Sequence, residues 1–162
     1  MSKHLTKGMI IVVMIAMFQI TAEAQQISMI GARVGYPFGV TFRLPFNNKA
    51  NAIFEGIVGT RGNSISFTAL FEGITNPAQR SEFEFFYGGG AHLGFYGTRS
   101  PYWDTEPDPF FGLGIDGIVG VGWNFTNVPV NLTFDYKPAV NFIGPGSFWY
   151  GDAAVSVRYV FR

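Results

Sequence analysis

Apolar and polar positions alternate along most of the chain from residue 27 onward, with the period of two that marks a strand and not the 3.6 of a helix. In the stretch 152–161, Ala153, Val155, Val157, Tyr159 and Phe161 share one face, and Ser156 and Arg158 lie on the other. Within 129–143, Val130, Leu132, Phe134 and Tyr136 oppose Asn131, Thr133, Asp135 and Lys137. Phe38, Val40, Phe42 and Leu44 oppose Gly39, Thr41 and Arg43. Phe83, Phe85, Tyr87, Leu93 and Phe95 oppose Glu84, Gly88, Gly90 and His92. The pattern predicts eight strands, at 27–36, 38–46, 51–61, 64–74, 82–97, 110–125, 129–143 and 152–161. Turn residues punctuate them: Gly35-Tyr36-Pro37, Asn47 to Ala50, Gly62-Asn63, Asn76-Pro77 and Thr126-Asn127. The longest connections are Thr98 to Pro109 and Gly144 to Gly151.

Alternation alone fits a soluble sheet or a membrane barrel, so the content of the polar face decides. Taken strand by strand, that face carries Arg33, Arg43, Glu55, Arg61, Glu72, Glu84, Asp116, Asp135, Lys137 and Arg158, five of each sign, with His92 on the same parity. Closing the sheet with this face inward gives each charge a partner in a narrow lumen, whereas a lone buried charge would cost several kcal/mol. The apolar face then points outward, which lipid tolerates over eight strands and water does not. Closure also removes the sheet edges, as a bilayer requires. The fold expected is all-β: an eight-stranded antiparallel up-and-down transmembrane β-barrel. A soluble ligand carrier of lipocalin type would turn the charged face to water, and ten interleaved charges among glycines fit that poorly.

Composition sharpens this picture. The 162 residues suffice for one domain, formal charge balances to zero, and cysteine is absent. Nucleic acid is therefore not an expected partner, and disulfide scaffolds and thiolate chemistry are excluded. Eighteen phenylalanines and only 14% charged residues suit an exterior in contact with lipid. At the N-terminus Lys3, His4 and Lys7 precede the apolar run Met9 to Ile20, and Ala22-Glu23-Ala24 supplies a small-x-small cleavage site. This reads as a signal peptide over 1–24, with the barrel domain at 25–162. With both termini on the periplasmic side, the second, fourth and sixth connections are periplasmic, and the two long loops lie outside. Aromatic girdles are expected at the two rims, from Phe46, Phe83, Trp123, Phe125, Tyr159 and Phe161 below and Tyr36, Phe95, Phe110, Phe111, Phe142 and Trp149 above.

The eight-strand layout and the closing strand Val155-Ser156-Val157-Arg158-Tyr159-Val160-Phe161 resemble the small outer-membrane barrels of Gram-negative bacteria, the OmpA/OmpX-like class. The resemblance implies that Val157, Tyr159 and Phe161 form the signal read by the barrel-assembly machinery. It further implies a monomer whose main partner is outer-membrane lipid. The peptidoglycan-binding domain that the OmpA type adds after its barrel is not expected. The function implied is non-enzymatic: envelope integrity, or surface interaction and adhesion through the long outer loops. The alternatives are a lipid A-modifying enzyme and a small pore.

Gly112-x-Gly114-x-x-Gly117 has the spacing of a dinucleotide fingerprint, but Ile118-Val119-Gly120-Val121-Gly122-Trp123 follows where a helix is needed. Gly112, Gly114, Gly120 and Gly122 instead share the parity of Asp116, and glycine there leaves room in a crowded lumen. His92, the one histidine after the signal segment, is expected to pair with a carboxylate such as Glu84 or Asp116 and not to act in catalysis. Asp104, Glu106 and Asp108 read as a solvated loop tip and not as a calcium site. Tyr102, Trp103, Phe148, Trp149 and Tyr150 are the candidate contacts of the outer loops. No catalytic, cofactor or metal site is expected.

Overall fold

The computed structural model describes residues 28–46, 51–76, 82–97, 110–144, 148 and 152–161. Residues 1–24, read from the sequence as a signal peptide, lie outside them, as do Tyr102, Trp103, Asp104 to Asp108, Trp149 and Tyr150. Every regular element described is a strand: β1 Met29–Gly35, β2 Phe38–Pro45, β3 Ala52–Thr60, β4 Ser64–Thr75, β5 Phe83–Tyr96, β6 Phe110–Asn124, β7 Val130–Tyr136, β8 Ala139–Ile143 and β9 Ala153–Val160. All pairings are antiparallel, and the order β5-β4-β3-β2-β1-β9-β7-β6 closes on itself through β5–β6. β7 and β8 form one stave in two pieces, so the nine segments make an eight-stranded closed barrel.

The break in that stave corrects the expected continuous strand 129–143. It falls at Lys137-Pro138, between β7 and β8. Proline has no N–H for the ladder. The Pro138 carbonyl still accepts the Gly117 N–H (2.8 Å), and the Lys137 N–H donates to the Asp152 carbonyl (2.7 Å). Above the break β8 follows β6 with a register shift at Leu113/Gly114, where Gly114 faces Asn141 and Leu113 faces Ile143. The extra residue leaves Phe142 and Ile143 both exposed.

Both ends of the described chain meet at one rim, where the Phe161 N–H donates to the Ser28 carbonyl (2.9 Å). Strands β2, β4 and β6 end at this terminal rim, and β1, β3, β5 and β8 end at the far rim. Side chains sort by parity as expected. Ile30, Val34, Phe38, Val40, Phe67, Phe71, Phe134, Val155 and Val157 are exposed, while every charged side chain on a described strand is buried. Outward rings pair edge-on across strands: Phe83 with Trp123 and Phe46 with Phe71 toward the terminal rim, and Phe95 with Phe111 at the far one.

The core is the lumen, and it is not wholly polar. Ile57, Leu70, Phe86 and Ile118 point inward from β3 to β6 and pack together, nearly inaccessible. This apolar layer was not foreseen. It explains Gly120, where a Cβ would fall 2.3 Å from the Phe86 ring.

Candidate functional site

The inward face holds the chemistry, in three groups along the barrel. Toward the terminal rim, Arg43 and Glu55 are direct cross-strand partners. Their ion pair is 2.8 Å from Nε to Oε2, and Arg43 Nη1 donates to Glu84 Oε1 at 2.9 Å. Arg43 Nη2 lies 3.0 Å from Glu72 Oε2 without the alignment of a hydrogen bond. Arg158 lies opposite Asn131 on β7 and Gly31 on β1, so its guanidinium reaches both walls. It donates to Glu55 Oε1 (2.6 Å) and Thr133 Oγ1 (2.7 Å). Thr41 donates to Glu55, and Asn124 and Asn131 donate to Glu84.

In the middle, Arg33 and Asp135 form a fork-to-fork pair with both bonds at 2.6 Å, each side chain fully buried. This geometry gives a charge pair its best compensation for lost hydration. The Arg43 guanidinium lies 4.2 Å above the Phe86 ring of the apolar cluster, where a cation is favoured.

Toward the far rim, Lys137 bridges Asp116 and Asp152, and Arg61 pairs with Asp152. Arg61 also stacks over Tyr36 at 4.8 Å. His92 lies between Asp116, 2.7 Å from Nδ1, and Asn141, 2.7 Å from Nε2. A cavity of about 30 Å³ opens here against Arg61, Ser66, Thr68, His92, Tyr96 and Lys137. It has room for about one water molecule. A wider, open cleft of about 610 Å³ at the rim is lined by Thr60, Asn63, Ser64, Phe95 and Phe111 among others.

All eleven charged or histidine positions read from the sequence thus face inward, and each meets an opposite charge or a hydrogen-bonding partner in one of these groups. His92 takes Asp116, while Glu84 serves Arg43 and two asparagines. Sequence reasoning missed Asp152, which shares the parity of Ser156 and Arg158 and opens the predicted strand 152–161, one residue before the observed Ala153–Val160. It set Asn131 on the polar face and Asn124 on the inward parity, but left their amides and that of Asn141 out of the network. Phe148 is exposed at 46%, and Val157, Tyr159 and Phe161 stand on the outer surface of the last stave. Among the described residues, no group of three or more His, Cys, Asp or Glu could hold a metal ion.

Two of the three fingerprint glycines have a steric origin: a Cβ at Gly114 would fall 2.2 Å from the Val140 carbonyl oxygen and 2.6 Å from the His92 ring, and one at Gly112 would fall 2.8 Å from the Tyr96 ring. Gly117, on the outside, would meet only Pro138 at 3.6 Å, an ordinary contact, and nothing in the structure requires glycine there. No family model and no curated protein matches the chain, which is therefore assigned at the level of its closed eight-stranded antiparallel barrel.

Proposed function

We propose that the protein is a non-enzymatic integral outer-membrane barrel of OmpA/OmpX-like type. On this reading it is exported by its signal peptide, inserted by the barrel-assembly machinery and monomeric in outer-membrane lipid. Its role is envelope integrity or surface interaction through the outer loops. One observation carries this reading: the distribution of polarity is inside out. Large apolar side chains such as Phe38 (56% exposed), Phe71 (57%) and Tyr159 (52%) cover the outside, while strand charges are buried. Single exposed apolar residues are ordinary, but a continuous band around eight staves calls for a lipid solvent.

The non-enzymatic part rests on His92. Both ring nitrogens are engaged in a buried structural pairing, Nδ1 with Asp116 and Nε2 with Asn141. The apolar cluster and the buried ion pairs that fill the lumen support a barrel that does not conduct. Fractionation tests the reading: the mature protein is expected in the outer membrane, with a heat-dependent shift in gel mobility. Recovery from the soluble periplasm would end it. Altered lipid A in a deletion strain would favour the enzyme instead, and stepwise planar-bilayer currents would favour the pore.

A further inference from the structure

The network toward the terminal rim contains one carboxylate more than it has cations. Glu72 on β4 is faced by Arg43 from β2, Glu55 from β3, Glu84 from β5 and Arg158 from β9, which sets three carboxylates against two guanidiniums. Glu72 is 2% exposed, and neither of its oxygens receives a hydrogen bond. Arg43 directs Nε and Nη1 at Glu55 and Glu84, so Glu72 receives charge proximity but no aligned donor. Glu55 and Glu72 meet on one guanidinium, with Arg43 Nε 2.8 Å from Glu55 Oε2 and Nη2 3.0 Å from Glu72 Oε2. Two carboxylates are acceptors only, and a hydrogen bond between them forms when one of them holds a proton.

We propose that the lumen contains a proton-binding site at Glu72, whose carboxyl group donates to the Glu55 carboxylate. One proton satisfies the orphaned oxygens, links Glu72 to Glu55 by a hydrogen bond and brings the network to neutrality. An alkali or divalent cation fits less well. Two of the three carboxylates already accept from guanidinium groups, and no metal-holding cluster occurs among the described residues. The apolar cluster with Phe86 and Leu70 covers one side of the site and limits its hydration. The unfolded chain releases this proton to water at neutral pH. The folded barrel therefore binds one proton more, and its stability falls as pH rises.

Infrared spectra of the folded full-length barrel in lipid vesicles test this directly. At neutral pH the wild type is expected to show the carbonyl stretch of a protonated carboxyl group, and Glu72→Gln to lose it. No such band in the wild type, or a band that persists in the variant, overturns the proposal; the wild-type measurement does not depend on the variant folding. Thermal melts give a second readout. Glu72→Gln mimics the protonated acid, so it is expected to match the wild type at neutral pH and to lose the alkaline decline. Glu55→Gln is expected to melt lower at every pH. Equal losses in the two variants overturn the proposal. So does a wild-type melt that depends on sodium versus potassium at fixed ionic strength, since an alkali cation would then occupy the site.

Discussion

At the residue scale, Arg158 concentrates the energetics of the lumen, because one guanidinium serves Glu55, Thr133, Asn131 and Thr41. Arg158→Ala leaves Glu55 with less compensation in a dry interior and is expected to cost about 3–5 kcal/mol. The check is a lower temperature for the gel-mobility shift, and an unchanged temperature would contradict the inward assignment. Phe86→Ala removes the largest apolar side chain of the lumen cluster and is expected to cost roughly 3–5 kcal/mol in urea unfolding from vesicles. Glu84 and Asp116 were both open to His92 in the sequence, and parity alone could not choose. The choice depends on strand stagger, which sets His92 opposite Gly114 and Gly114 opposite Asn141. Phe86 was missed for a related reason. In Phe85-Phe86 both residues are apolar, so the inward one leaves no polar mark in the pattern.

At the scale of elements, the strands and their two faces were legible because the pleat forces a period of two on any sheet with unlike sides. The interruption of the seventh stave was written in Pro138, yet the alternation through Tyr136 and Val140 masked it. Lipid contact has its own test at this scale. Val119 stands at mid-stave on the outward face of β6, 40% exposed. Val119→Arg is expected to cost about 2–4 kcal/mol for the barrel in a bilayer. On a protein bathed in water the same change would be close to neutral, so the difference in unfolding free energy between variant and wild type distinguishes the two solvents.

At the scale of the whole molecule, the barrel is a packed core turned inside out. Its ion pairs occupy the place of a hydrophobic interior, and its apolar residues occupy the place of a hydrated surface. The cluster of Ile57, Leu70, Phe86 and Ile118 fills the β3 to β6 side of the lumen, and buried ion pairs pack the rest. Planar-bilayer recordings of the wild type are therefore expected to show no steps. The meeting of the two ends, with the Phe161 N–H bonded to the Ser28 carbonyl, carries a consequence for topology. A ring of staves has no first member; chain order merely records where the ring was cut. A short linker from residue 161 to residue 28, with a new opening at Thr126-Asn127 on the same rim, would preserve every pairing between strands. Such a circular permutant is expected to fold to the same heat-modifiable form.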